Sequence, residues 1–109
     1  MTTVTFESEG NRLVGFTVSG HSGLADAGED ILCAAITSGV RLVECGLNDI
    51  LGLGAPVRLR EEEAFLSLKL PSGLSDEIDQ VCQTLLAAMM LHFVQLSEEY
   101  PENIIVMEV

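Results

Sequence analysis

The fold depends on residues 13–36, LVGFTVSGHSGLADAGEDILCAAI, which run from a strand through a glycine-containing loop into a helix. Their first part alternates apolar with polar or small residues, as in a strand with one buried face. Asp30 can cap the helix that follows, which would place Cys33 in its first turn. His21 and Cys33 then lie at the two ends of one loop, twelve positions apart.

Apolar patterns along the rest of the chain predict the order ββαββαβ. The first helix continues to about Leu51, and Ser75 can cap a second helix that Tyr100 and Pro101 end. Five runs predict strands: residues 2–7, 13–19, 56–60, 64–70 and 104–109. The last run is apolar enough to lie inside a sheet. We expect one α/β (α+β) domain over residues 1–109, with two helices packed on a mixed β-sheet.

Apolar stripes predict which helix residues face the core. The predicted stripe of the first helix is Leu32, Ile36, Val40, Val43, Leu47 and Ile50. That of the second helix is Ile78, Val81, Leu85, Met89, Phe93 and Leu96. Cys45 and Cys82 are predicted to be core residues, and His92 a structural histidine. The second helix is apolar nearly all round over residues 85–94, so it is either deeply buried or part of a dimer interface. The small size of the domain favours a homodimer.

The charge balance limits the classes of partner. Seventeen acidic residues against five basic ones give a formal charge of −12. The electrostatic field of so negative a protein repels phosphate backbones, so we expect no direct nucleic-acid binding. A basic protein or peptide fits better, although clustered acidic residues at turns and helix ends also act simply as a solvated surface.

Cysteine and histidine spacing indicates neither a disulfide framework nor a metal site. The three cysteines form no CxxC, and the two histidines are far apart. We expect no cofactor. The N-terminus lacks a basic region followed by an apolar run, and the apolar stretch 85–94 is shorter than a membrane span. A cytoplasmic protein with reduced thiols and no membrane contact is therefore expected.

His21 and Cys33 suggest a nucleophilic pair. A thiol at a helix start is favoured as thiolate, and His21 can take its proton if the loop folds back. The alternative is that Cys33 is a small buried apolar residue, since the spacing permits contact without enforcing it. Thr37, one turn further on, could bond a backbone carbonyl of the preceding turn instead of serving a site.

The same residues carry a family resemblance. Gly-His, a glycine-containing loop, G-x-D-I-x-C-A-A and a hydroxyl residue four places after the cysteine resemble the ribosomal-processing cysteine proteases, the Prp family. The motif reads Gly20-His21, then residues 28–35, GEDILCAA, and Thr37. The resemblance implies a cytoplasmic, homodimeric endopeptidase. Its substrate would be a basic ribosomal protein, the large-subunit protein numbered twenty-seven, from which it removes an N-terminal extension.

Site roles follow from the resemblance position by position. Cys33 would be the nucleophile and His21 the general base, with Asp30 and Thr37 supporting them. Thr37 replaces the more usual serine of the family. Ser22 stands where alanine is common.

The loop before Cys33 is expected to bind substrate. We expect it to form one wall of the cleft and to close over substrate, as such loops do in many enzymes. Backbone N–H groups at the helix start would serve as oxyanion donors. The predicted loop residues are Gly20, Ser22, Gly23 and Gly28.

Two other functions remain open from the residues. The first is a small acidic adaptor that chaperones a basic ribosomal protein, with Cys33 merely buried. The second is a thiol redox or acyl-transfer enzyme, against which the absence of a CxxC argues.

Overall fold

The computed structural model describes residues 1–20 and 26–109, and the side chains of residues 26–30 and 61 are outside that description. The predicted order ββαββαβ is confirmed. The strands and helices are β1 Thr2–Glu9, β2 Arg12–Gly20, α1 Asp26–Glu44, β3 Val57–Arg60, β4 Phe65–Lys69, α2 Asp76–Glu99 and β5 Ile104–Glu108. A π-helical segment, Cys45–Ile50, continues α1, and a short 3-10 turn, Glu61–Glu63, joins β3 to β4.

The five strands form one mixed sheet in the order β3-β4-β2-β1-β5. Every neighbouring pair is antiparallel except β1 and β5, which are parallel. The prediction that the last strand lies inside the sheet is wrong, because β5 is an edge strand. The apolar residues of β5 differ in burial: Ile104 is 1% exposed, whereas Ile105 is 42% exposed.

The two helices cover one face of the sheet and enclose a single core. Phe6 on β1 and Phe16 on β2 are fully buried neighbours, with ring centroids 6.1 Å apart. Phe93 of α2 is also fully buried. A Cβ built on Gly39 of α1 would lie 2.9 Å from Cε1 of Phe93, so glycine at this position lets the ring lie directly against α1.

Helix α1 begins earlier than predicted. It starts at Asp26, four residues before Asp30, so Asp30 does not cap it and Gly28 lies within the helix and not in a loop. The sequence DAGED explains the difference, since acidic residues suit the first turn of a helix and alanine is a strong helix former. One interior glycine costs only about 1 kcal/mol, which is too little to stop the helix.

The predicted stripe of α1 is confirmed as far as Leu47, which is fully buried. The prediction is wrong at its end, because Ile50 is 77% exposed. Cys45 is also exposed, contrary to its predicted place in the core. Cys45 lies two positions from both Val43 and Leu47, so helical spacing places it on the opposite face. Ile50 ends the π-helical segment, whose i→i+5 hydrogen bonds change the helical period and turn its side chain away from the core.

The predicted stripe of α2 is confirmed except at Val81: Met89 and Phe93 are buried, and Ile78, Leu85 and Leu96 are partly buried against the core. Ser75 caps the helix as predicted, accepting a hydrogen bond from the backbone N–H of Ile78, and Tyr100 ends it. Val81 is 43% exposed, whereas Cys82 is fully buried as predicted. The buried residues of α2 are Cys82, Leu86, Met89 and Phe93.

Cys82 and His92, both on α2, differ in burial. Burial raises the pKa of the Cys82 thiol, because the thiolate would lose its hydration. His92 is exposed, and the centroid of its ring lies 5.7 Å from that of buried Phe93.

One helical stretch, Ile31–Ile50, is long and apolar enough to cross a membrane, with a mean hydropathy of 1.3. The sequence pattern does not indicate a membrane span here, because small and polar residues interrupt the apolar run. Leu32, Ile36, Val40, Val43 and Leu47 of this stretch are buried in the protein core. We therefore assign it as the core helix of this fold.

An ion pair ties β2 to α2. The Arg12 guanidinium donates two hydrogen bonds to the Asp79 carboxylate, at 2.6 and 3.0 Å. Gln83 lies beside them, and its side-chain amide both accepts from the N–H of Leu13 and donates to its carbonyl oxygen. The hydrogen bonds from Arg12 hold the pKa of Asp79 below its ordinary value.

Asp79→Asn should therefore lower stability in a pH-dependent way. A carboxyl whose pKa is lowered by folding adds stability above its unfolded pKa, and this contribution is lost as the pH falls through the folded value. We expect a loss of about 1 kcal/mol at pH 7, since the pair is partly solvated. As the pH falls below the unfolded value of about 3.9 toward the lowered folded value, the two proteins should converge. Urea unfolding at neutral and at low pH measures this, and an equal deficit at both would contradict the assignment.

Candidate active site

A groove of about 640 Å³ lies between α1 and the uncovered end of the sheet at β3. One stripe of α1 forms a wall, with residues spaced three or four apart as helical geometry requires. These are Cys33, Ile36, Thr37, Val40, Arg41 and Glu44. The sheet forms the other wall with apolar residues of three strands: Val18, Val57, Leu59 and Leu66. The groove is thus an apolar channel with a thiol at one end and charged groups at the other.

The structure brings two predicted site residues to the same wall. Cys33 and Thr37 are one helical turn apart, and both line the groove. Cys33 is half-buried, so the thiol is reachable from the groove. The prediction that the cysteine is merely core is therefore not favoured for Cys33, whereas it holds for Cys82.

Gly20 ends β2 on the rim of the same groove. Its backbone has φ +86°, a conformation that favours glycine, and its N–H donates to the carbonyl oxygen of Ala64 at 2.9 Å. A Cβ at this position would collide with the carbonyl oxygen of Met1. His21 follows Gly20 directly in the chain. His21, Ser22 and Gly23 lie outside the described residues, as does the side chain of Asp30.

Because α1 begins earlier than predicted, Cys33 lies further from the start of the helix than expected. Cys33 is the eighth residue of α1, about two turns from its start. The macrodipole acts mainly within the first turn, and backbone N–H groups this far along bond to carbonyls within the helix. The prediction that Cys33 lies in the first turn of the helix is therefore wrong, and the identity of the oxyanion donors stays a prediction.

Sequence reasoning missed the sheet wall and the charged end of the groove. Val57 and Leu59 form the apolar half of an alternating strand pattern, and no pattern in the sequence singled out Arg41 or Glu44. Their joint position depends on β3 pairing with β4 at the edge of the sheet, which no local pattern reveals. Spacing from Cys33 was the one available signal, since residues 37, 40, 41 and 44 follow it at helical intervals.

No metal site accompanies the groove in the part of the chain that the structure describes. Within residues 1–20 and 26–109, no three His, Cys, Asp or Glu side chains lie close enough to hold an ion.

Gly20→Ala should be far more disruptive than Gly10→Ala. Both glycines have positive φ, so alanine at either costs about 1–2 kcal/mol of backbone strain. The Cβ at position 10 meets nothing within 4 Å, whereas the one at position 20 meets backbone. We expect the Gly20 variant to lose at least 1 kcal/mol more by urea unfolding, and equal losses would contradict this account of Gly20.

Comparison with known proteins agrees with this architecture. A family model described as "Cysteine protease Prp" matches residues 1–105. The ribosomal processing cysteine protease Prp of Bacillus subtilis is 25% identical over 98 residues, which is 84% of this chain and 82% of that protein.

Two solved structures are similar over the whole chain. A Streptococcus mutans protein has a TM-score of 0.86 at 24% identity and is covered over 94% of its length. The Prp protease of S. aureus, crystallised with a substrate peptide, has a TM-score of 0.82 at 17% identity, with both chains fully covered.

Proposed function

Because this chain belongs to the family of the cysteine protease Prp, we propose that Cys33 and His21 form the nucleophile and general base of its peptide cleavage. The chain is thus an enzyme, a cysteine protease of the ribosomal-processing type. The observation that carries the assignment of Cys33 is its position, half-buried on the wall of a peptide-sized groove. Gly20, which directly precedes His21, lines the same groove.

The reaction would proceed in two stages. His21 takes the proton of the Cys33 thiol, and the thiolate sulfur attacks the carbonyl carbon of the scissile peptide bond. The protonated His21 then gives its proton to the leaving amine, which leaves an acyl-enzyme on Cys33. A water molecule deprotonated by His21 attacks the thioester, and the C–S bond breaks. Protonated His21 returns its proton to the Cys33 sulfur, and the carboxylic acid product loses its remaining proton to solvent.

The groove would hold the residues next to the scissile bond. Its walls are mainly apolar, so it suits a peptide segment with apolar side chains better than a charged one. Arg41 and Glu44 at its far end present both signs of charge to the next part of the peptide.

Two residues would support the pair. The Thr37 hydroxyl lies one turn from Cys33 on the groove wall and would bond either the substrate or the thiol. Asp30 lies in α1 and not at its cap, so it would orient His21. The rest of the expected substrate-binding loop is Ser22 and Gly23.

The substrate we propose is the N-terminal extension of the large-subunit ribosomal protein numbered twenty-seven. Support comes from the B. subtilis relative, which is a ribosomal processing protease. The formal charge of −12 supports a basic protein as substrate and argues against direct nucleic-acid binding. Action on a ribosomal protein would place this enzyme in the cytoplasm.

We also propose that the enzyme works as a homodimer. Three large apolar side chains on the helices are well exposed: Ile31 at 66%, Leu42 at 72% and Leu91 at 59%. Exposed apolar side chains of this kind favour contact with a second copy. Sedimentation velocity measures the state directly.

Mass spectrometry of a synthetic peptide that spans the extension tests the function. A single cut by the wild-type protein is expected. An intact peptide after prolonged incubation would contradict the proposed substrate. Retention of the basic ribosomal protein in a stable complex without cleavage would favour the adaptor instead.

A further inference from the structure

We propose that the outer edge of β3 pairs with the backbone of an extended substrate segment and so feeds alternate apolar side chains into the groove. The proposal rests on the peptide-cleaving function above. It names the part of the protein that recognises the peptide backbone.

The hydrogen-bond register of β3 shows which of its backbone groups are available. The N–H of Lys69 donates to the carbonyl oxygen of Pro56, and the register pairs Arg58 with Ser67 and Arg60 with Phe65. Because bonded pairs alternate along an antiparallel ladder, Arg58 and Arg60 use their N–H and C=O groups toward β4. Those of Val57 and Leu59 therefore point to the outer edge, where no strand of the described sheet lies.

The same two residues supply side chains to the groove. Val57 and Leu59 lie on the helix-facing side of the sheet, 37% and 59% exposed, and both line the groove that contains Cys33. Residues directly opposite each other on neighbouring strands point to the same face. A peptide paired with β3 would thus place every second side chain beside Val57 and Leu59, in the apolar groove.

The face of β3 that points away from the helices limits which substrate residues can alternate with the apolar ones. Arg58 and Arg60 point there, and Lys69 of the neighbouring strand shares that face. Three of the five basic residues of an otherwise acidic protein are therefore at this end of the sheet. Arg60 is paired with Glu63 at 3.3 Å, so repulsion acts mainly at Arg58. The substrate residue opposite Arg58 should therefore be neutral or acidic.

The positive charge of the β3 arginines also makes a substrate peptide a better partner for this edge than a second copy of the chain. Antiparallel pairing of two β3 strands would bring the arginines of one copy next to those of the other, and like charges on facing strands are destabilising. Arg58 and Arg60 thus protect this short edge against pairing between copies, as charged side chains on edge strands do.

An N-methyl scan of the extension peptide tests the pairing. Each variant peptide carries one methyl group on one backbone nitrogen, and its affinity for the Cys33→Ala protein is measured by fluorescence anisotropy. Only every second N–H of a paired strand points at its neighbour. We expect affinity to fall by about three- to tenfold at alternate positions within a short segment, with smaller losses between them.

Proline substitutions provide the complementary test on the enzyme. Leu59→Pro removes an N–H that points outward and leaves the ladder to β4 intact, so weaker peptide binding by about three- to tenfold is expected. Leu59→Ala separates the contribution of the side chain. Glu108→Pro is the matched control, because the N–H of Val109 bonds to β1 and the neighbouring N–H of Glu108 points to the opposite outer edge. Peptide affinity of the Glu108 variant should stay within about twofold of wild type.

The outcomes separate this inference from the proposed function. Cleavage of the unmodified peptide with no alternation in the scan would overturn the β3 pairing alone. Alternation without cleavage by the wild type would support the pairing and overturn the proposed activity, and absence of both binding and cleavage would overturn both. A change from dimer to monomer in Leu59→Pro, at unchanged peptide affinity, would show that a second copy occupies the edge. If the Leu59 variant does not fold, the scan decides alone.

Discussion

Cys33→Ala is expected to abolish cleavage of the extension peptide, with a loss of roughly 10⁴-fold or more in kcat. The reason is that neither of the other two cysteines is placed to form the acyl-enzyme. Cys82 is fully buried among core residues, and Cys45 lies outside the groove lining. Initial rates from mass spectrometry of the peptide measure the effect.

Cys45→Ala is the matched control for this loss. It removes an exposed thiol from the segment that continues α1, and its activity should remain within about twofold of wild type. Residual activity of Cys33→Ala near the wild-type level would reject Cys33 as the nucleophile.

Alkylation rates separate a reactive thiol from an accessible one. In the wild type, iodoacetamide should modify half-buried Cys33 faster than exposed Cys45 at neutral pH, because His21 activates only the former. His21→Ala should slow the reaction at Cys33 and leave Cys45 unchanged. Equal slowing at both thiols, or none at either, would argue against the pair.

Phe93→Ala is expected to lower the free energy of unfolding by about 3–5 kcal/mol. The ring is fully buried and packs against Gly39 of α1, which has no side chain of its own to fill the space. Loss of the ring therefore leaves a cavity as well as removing buried apolar area. Urea unfolding followed by circular dichroism measures the change.

Val81→Ala provides the comparison on the same helix. Its side chain is 43% exposed, so its removal should cost well under half as much. A similar cost for the two variants would mean that Val81 is buried, as the sequence predicted, and would contradict its observed exposure.

Local patterns predicted the secondary structure because each element carries its own signal. Alternation marked the first four strands, and the caps and breakers around residues 75 and 101 bounded α2. The errors arose where competing local preferences are close in energy. Acidic residues suited to a first turn outweighed Gly28 and moved the start of α1 to Asp26. The π-helical segment changes the helical period before Ile50. A predicted apolar stripe assumes a constant period, so it could not predict that Ile50 is exposed.

The sequence alone determined the chemistry-bearing residues of the candidate site and the order ββαββαβ. Cys33 and Thr37 fall on one wall because helical spacing requires it, and the resemblance motif placed Gly20-His21 before them. Only the tertiary structure decided the strand order, which puts β3 and β5 at the two edges and leaves the β3 end of the sheet uncovered. That arrangement depends on contacts between residues far apart in the chain, so the groove and the free edge of β3 appear only after the whole sheet has formed.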